Sequence, residues 1–159
     1  MATCPICNVN TSTNAEGTDP WFVARLQTGY VRLALNQYFR GGSFFVAKDC
    51  VTDVFQLDSG VRALHLEEMS EVAAVVNDAF RPETVNVESF SNGVPHLHWW
   101  LTPRYQSDPL PRAPIWEDLE FLRALWTETA RPSSEEFITR RTLLLDALRS
   151  RDVVIEPTP

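Results

Sequence analysis

The sequence predicts an α+β fold, an antiparallel sheet with a long helix packed on it and further helices towards the C-terminal end. Three observations carry this expectation. Residues 30–35 and 43–47 are β-rich runs separated by a loop containing Gly41-Gly42, the pattern of an antiparallel pair. From residue 59 to 80, Val61, Leu64, Met69, Val72, Val75, Val76 and Phe80 recur at helical spacing, and Pro82 ends the run. Residues 96–102 alternate as a strand does, with His96, His98 and Trp100 on one face and Leu97, Trp99 and Leu101 on the other.

Length and charge bound the answer. A chain of 159 residues, 44% of them hydrophobic, suffices for one core and is short for two, so residues 1–159 are expected to form one domain. A net charge of −7 argues against coating a nucleic-acid polymer or an anionic membrane, although a nucleotide pocket needs only a few local donors. No apolar run reaches the length of a membrane span, and the polar first residues do not read as a signal peptide. The expected location is the cytoplasm. Internal repeats and low-complexity blocks are absent.

In chain order, Cys4-Pro5-Ile6-Cys7 is a C-x-x-C pair, which in a reducing compartment points to metal or redox chemistry rather than a structural disulfide. The alternative is a loose segment with two free thiols and a buried Cys50. Asp19-Pro20 predicts a short helix through Leu26, with proline in the tolerated first turn and Gly29 as the stop. The strand pair and the long helix over 59–80 follow, the helix carrying His65 as an ordinary surface or packing residue. Residues 84–90 are the next strand, and Asn92-Gly93 is a turn signal before the strand at 96–102, which Pro95 and Pro103 bracket.

Beyond Tyr105, Pro109, Pro111 and Pro114 punctuate a loop to Ile115-Trp116. A helix is expected over 117–128, with Leu119, Leu122, Leu125 and Trp126 on one face. Ser133-Ser134-Glu135-Glu136 is a capping-box start for a last helix to about 149. Its Phe137, Leu144, Leu145 and Leu148 should pack inward while Arg140, Arg141 and Arg149 face water. Residues 156–159 are expected to be loose.

Two of the three histidines thus share one strand. Each imidazole removed from water needs a partner, so the pair is either tied into core hydrogen bonds or part of a site. The run His96-Leu97-His98-Trp99-Trp100-Leu101-Thr102 resembles the histidine-triad (HIT) motif, His-φ-His-φ-His-φ-φ, with Trp100 where the third histidine belongs. Its flanks are also similar to bacterial HIT proteins: Asn86 and Asn92-Gly93-Val94-Pro95 before it, Pro103-Arg104-Tyr105 after it. The resemblance spans roughly residues 4–116, and the C-terminal helical extension over 117–151 rests on pattern alone.

The resemblance implies a HIT-like fold and specific roles. The middle histidine, here His98, is the family's nucleophile, which attacks an α-phosphorus and holds a covalent nucleotidyl-imidazole intermediate. Neutral imidazole suits this task when its second nitrogen is fixed by a backbone carbonyl. Zinc-bearing HIT proteins take their ligands from positions that correspond to Cys4, Cys7, Cys50 and His96. Cysteine replaces the family's histidine at 50, and both suit tetrahedral zinc. Asn36 stands where the family binds ribose hydroxyls; Asn92 could donate to a phosphate oxygen and Gly93 admit it closely, although turn chemistry explains both equally. Partners implied are a nucleotide or dinucleoside polyphosphate and a second copy of the chain in a homodimer.

Trp100 is the departure from the motif. Indole offers one N–H, no acceptor and no proton near neutrality, and general acid help is worth ~10²–10⁴-fold. Reactions with poor leaving groups should therefore slow most. The related hexose-1-phosphate uridylyltransferases carry a non-titrating glutamine at that place. Two readings remain: a nucleotide hydrolase or nucleotidyl transferase acting through His98, and a non-catalytic nucleotide-binding or interaction protein in which Trp100 fills the phosphate position.

Overall fold

The computed structural model describes residues 4–16, 19–125, 127, 130–151 and 153–157. Among them, five strands pair into one antiparallel sheet: β1 (Phe22–Arg25), β2 (Gly29–Leu33), β3 (Ser43–Ala47), β4 (Thr84–Glu88) and β5 (His98–Arg104), in spatial order β1-β2-β3-β5-β4. This is the α+β architecture that the sequence predicts. β5 runs between β3 and β4, with Phe44 and Glu88 flanking Trp100, and Phe45 opposite Trp99.

The predicted alternation holds from His98 onward. Trp99 and Leu101 join the main core with Phe45, and His98 and Trp100 occupy the opposite face. His96 and Leu97 lie before the strand, which instead continues through Pro103 to Arg104. β3 ends at Ser43, opposite Leu101, so at Pro103 a ladder is needed on one side only and the missing N–H is tolerated. The strand at 84–90 likewise stops at Glu88.

Helix α2 (Ser59–Phe80) matches its predicted bounds and packs over β3, β4 and β5. Val72, Val75, Val76 and Phe80 form its buried stripe, while Val61 sits at the exposed end. Arg81 ends the helix in the left-handed conformation, its N–H bonded to the Asn77 carbonyl. Gly41 also has a positive φ (87°), and a Cβ there would lie 2.4 Å from the Phe80 ring. Only glycine fits between the β2–β3 loop and the end of α2.

Helix α4 (Ser134–Ser150) starts at the predicted capping box and adds Phe137, Leu144 and Leu148 to the same core, with Leu145 half-buried. Two of its arginines depart from expectation. Arg141 donates to the Phe22 carbonyl (2.6 Å) and so fastens α4 to β1, Arg140 is half-buried and pairs with Glu136 of its own helix (3.1 Å), and Arg149 faces water as predicted.

Four further expectations are corrected. Residues 22–25 are a strand, because pairing with β2 and burial of Val23 and Ala24 outweigh the Pro20 cue; Asp19 instead closes a turn through Trp21 N–H (3.0 Å). Residues 5–16 form helix α1 (Pro5–Glu16), which the sequence did not signal. The helix expected over 117–128 shrinks to α3 (Leu119–Ala124) behind a 3-10 turn at Ile115–Glu117. Asp118 caps it by accepting from Phe121 N–H (2.9 Å), which turns Phe121 and Ala124 inward and leaves Leu119 62% exposed; Trp126 and Glu128 lie outside the described residues. Glu156 is not loose: its N–H bonds to the Arg25 carbonyl and its carboxylate pairs with Arg25 and Lys48, while residues 158–159 lie outside the described residues. No helix among the described residues is long and apolar enough to cross a membrane.

His65 is also not a surface residue; it is fully buried. The Trp99 indole donates to its Nε2 (3.0 Å), so the proton sits on Nδ1 and is given to Thr28 Oγ1 (2.9 Å), which donates in turn to Glu68. Glu68 also accepts the Gln27 and Thr28 N–H groups. Burial lowers the His65 pKa from 6.5 to about 4. Above pH 6.5 the histidine is neutral in both folded and unfolded chains, and its stabilising contribution is complete. As pH falls towards 4 only the unfolded chain takes the proton, and about 3 kcal/mol is lost. Urea unfolding should therefore show a steeper decline from pH 7 to 4.5 for the wild type than for His65→Leu, which is less stable at pH 7 but flatter in pH.

Candidate functional site

The site lies on the sheet face opposite α2, where β5 presents His98 and Trp100. His98 follows His96 by two residues, and the turn of backbone at His96 aims that carbonyl at the His98 ring. The His98 Nδ1 to His96 carbonyl distance is 2.6 Å. A carbonyl only accepts, so Nδ1 carries the proton and Nε2 keeps its lone pair. Nε2 has no hydrogen-bond partner among the described residues. His98 borders a cavity of about 480 Å³, a size suited to a small organic ligand.

The cavity wall is largely apolar. Ile6 and Val9 from α1, Leu35, Phe44, Val46 and Trp100 supply most of it. Its one basic lining residue, Arg32, is buried and held by Asp19 (2.7 Å) and by the Asn10 amide oxygen (2.9 Å). Neither α1 nor this polar group was apparent in the sequence, since local pattern carries no sign that residues 6–10 cross over β2 and β3.

Trp100 packs edge-on against Phe44, with ring centroids 4.7 Å apart. Its Nε1 is shielded from solvent without a hydrogen-bond partner among the described residues. The same ring borders a second, wholly apolar groove with Phe90, Trp116, Phe121 and Leu122, and a small cleft shared with Asn36 and Thr102. Trp100 thus separates the His98 cavity from the region around α3.

The remaining positions singled out in the sequence are placed as follows. Asn36 does not line the His98 cavity; its amide donates to the Ala124 carbonyl (2.6 Å) and accepts from Tyr38 N–H (2.8 Å), which leaves one N–H and one lone pair. Asn92 and Gly93 are exposed on the loop leading to β5. Gly93 lacks a left-handed φ, and a Cβ there would meet nothing within 4 Å, so this loop does not require glycine.

Cys4, Cys7, Cys50 and His96 converge, with their ligand atoms all within 4.8 Å of one another. Cys4 Sγ and Cys7 Sγ lie 3.5 and 3.6 Å from His96 Nδ1. A tetrahedral ion with metal–sulfur and metal–nitrogen bonds of usual length sets that edge at about 3.6 Å. His96 Nε2 donates to the Ala47 carbonyl (2.9 Å), which directs Nδ1 at the thiols. Burial, with His98 and Arg32 opposing a second positive charge, lowers the His96 pKa and favours the neutral form that ligates. Burial and the neighbouring Cys50 and Cys4 thiols push Cys7 up to about 12, so ionising it calls for a compensating cation. The donor set and its spacing fit a four-coordinate metal.

No protein-family model matches the chain, and no curated protein matches it in sequence. Solved structures do match. A histidine-triad protein from Sinorhizobium meliloti 1021 superposes with a TM-score of 0.68 at 21% identity, over 84% of this chain and 94% of that one. A zinc-bound histidine-triad family protein from Mycobacterium smegmatis gives 0.65 at 15% identity, over 93% and 94%. A hypothetical histidine-triad nucleotide-binding protein from Sulfolobus tokodaii strain7 gives 0.65 at 12% identity, over 87% and 90%. At these identities the likeness establishes the fold: the chain has the histidine-triad fold.

The hydrogen bond to the His96 carbonyl makes a direct prediction. In the ¹⁵N spectrum of neutral His98, Nδ1 should have the shift of a protonated ring nitrogen and Nε2 that of a bare one. The opposite tautomer would remove the lone pair from the cavity.

Proposed function

We propose that the chain is a nucleotide hydrolase or nucleotidyl transferase of histidine-triad type, acting on nucleotide conjugates such as dinucleoside polyphosphates. The observation that carries this reading is the lone pair of His98 Nε2, fixed by the His96 carbonyl and open to the cavity. Nε2 attacks the α-phosphorus, a P–N bond forms, and the P–O bond to the leaving group breaks with its electron pair on oxygen. Water or another acceptor then displaces the nucleotide and returns the pair to Nε2. The apolar wall holds the base, while the Trp100 indole N–H and the Asn92 amide donate to phosphate oxygens. Gly93 keeps the loop beside that phosphate free of a side chain. Asn36, with one donor and one acceptor left, is the residue assigned to the ribose hydroxyls.

Zinc held by Cys4, Cys7, Cys50 and His96 belongs to the same reading. A closed four-ligand ion cross-links α1, the segment after β3 and the approach to β5, and contributes stability rather than chemistry. The partner is a nucleotide rather than a nucleic-acid polymer, in keeping with the charge of −7, and the assembly is a two-fold homodimer.

A specific observation favours a second reading, a non-catalytic nucleotide-binding protein. The indole of Trp100 stands beside His98, and the cavity's one basic lining residue is already ion-paired. Turnover of a fluorescent dinucleoside polyphosphate separates the two. His98→Ala should lower kcat by ~10³-fold or more, as removal of a covalent nucleophile does elsewhere. Saturable binding without turnover by the wild type would select the second reading.

Metal content is expected at one zinc per chain. Cys50→Ser should lose it and lower Tm, whereas Cys50→His should retain it, because imidazole and thiolate are interchangeable ligands for this ion. Elemental analysis together with thermal unfolding checks both.

A further inference from the structure

Trp100 leaves the proposed reaction without an acid, since indole cannot give up its proton near neutrality. The sheet brings another group to the same place. β4 pairs with β5 so that Glu88 lies opposite Trp100 and Asn86 opposite Thr102. Cross-strand partners share a face, so Glu88 stands on the face of Trp100 and His98. His98 is its diagonal neighbour across the β4–β5 ladder, within reach of a long side chain.

Glu88 is half-buried, and its Oε2 is shielded from solvent with no hydrogen-bond partner among the described residues. The Nε1 of Trp100, its cross-strand partner, is in the same condition. Side chains on an edge strand usually turn such atoms to water, so an orphaned polar atom on each of two cross-strand partners marks a place that a ligand's oxygens would complete. Burial raises the Glu88 carboxyl above the usual carboxylate range, against the opposing pull of the Asn86 amide and the Arg104 guanidinium. Arg104 is itself paired with Asp108 (3.0 Å), and His98 is the other titratable group facing Glu88 from β5.

We propose that Glu88 is a further catalytic residue, the carboxylic acid that protonates the leaving-group oxygen in the place where the histidine triad would use its third histidine. This rests on the His98 reading given above. As His98 Nε2 bonds to phosphorus and the P–O bond breaks, the Glu88 proton passes to the departing oxygen. In the second step the Glu88 carboxylate takes a proton from the attacking water while the P–N bond breaks. Acid and base are thereby restored, and no further reactant is needed. The sequence motif hides this residue, because it belongs to a different strand.

Two AMP diesters that differ only in leaving group, p-nitrophenol or a simple alkyl alcohol, test it with the wild type, Glu88→Gln and His98→Ala. Glu88→Gln should slow the alkyl ester by ~10²-fold or more and leave the p-nitrophenyl ester within about threefold, as loss of a general acid does. The fall in kcat with rising pH, seen with the alkyl ester as Glu88 loses its proton, should vanish in this variant. Equal losses on both esters, or none on the alkyl ester, would overturn the role of Glu88 while an inert His98→Ala kept the nucleophile in place. A wild type inert on both esters, or His98→Ala as active as wild type, would remove the His98 reading and Glu88 with it. Should Glu88→Gln lose its native circular dichroism, Glu88→Asp replaces it: a retained fall with rising pH at reduced rate supports the proposal, and a profile without that fall overturns it.

Discussion

Strand β5 is hydrogen-bonded on both sides, and the two-residue period of its side chains organises the molecule around it. Trp99 and Leu101 enter the core under α2, and His98 and Trp100 are thereby committed to the other face. A slip of one residue would exchange the two sets, placing an imidazole in the core and Leu101 in the cavity. The placement of His98 at the cavity is thus protected by the burial energy of residues on the other face.

Polar contacts hold both ends of this arrangement. Before the strand, His96 is fixed by the Ala47 carbonyl and points its other nitrogen at three thiols, while its own carbonyl orients His98. Beneath the strand, the Trp99 indole is tied through His65 and Thr28 to Glu68 on α2. Every member of that buried chain has a partner, so it adds a directional constraint where apolar packing alone would allow small shifts. His98 sits between these two anchors, with little freedom to change its ring orientation.

The cavity combines an apolar wall with few polar atoms, and this gives each polar atom weight. In a water-poor setting an unpaired N–H or carboxyl is costly, and a ligand oxygen that satisfies it binds at a defined position. Trp100 gives the site two features: its ring separates the His98 cavity from the groove by α3, and its one polar atom is a donor that does not titrate near neutrality. An anionic ligand here would meet hydrogen-bond donors rather than free cations, since the one basic lining residue is ion-paired.

Period and residue type were enough to determine the antiparallel class, the bounds of α2 and the capping box of α4, while the convergence of Cys4, Cys7, Cys50 and His96 followed from the resemblance of the motif. The first three depend on local pattern that sequence displays directly. Other features needed the tertiary structure. Residues 22–25 became a strand because β2 offered them a ladder, and Asp118 rotated α3 so that Phe121 rather than Leu119 faces inward. Asn36 is committed to Ala124, Asn10 reaches Arg32, and Glu88 meets Trp100. These pairings join residues 12 to 88 positions apart, and which side of a strand or helix meets which neighbour is decided by sheet register and packing, to which a local window of sequence is blind.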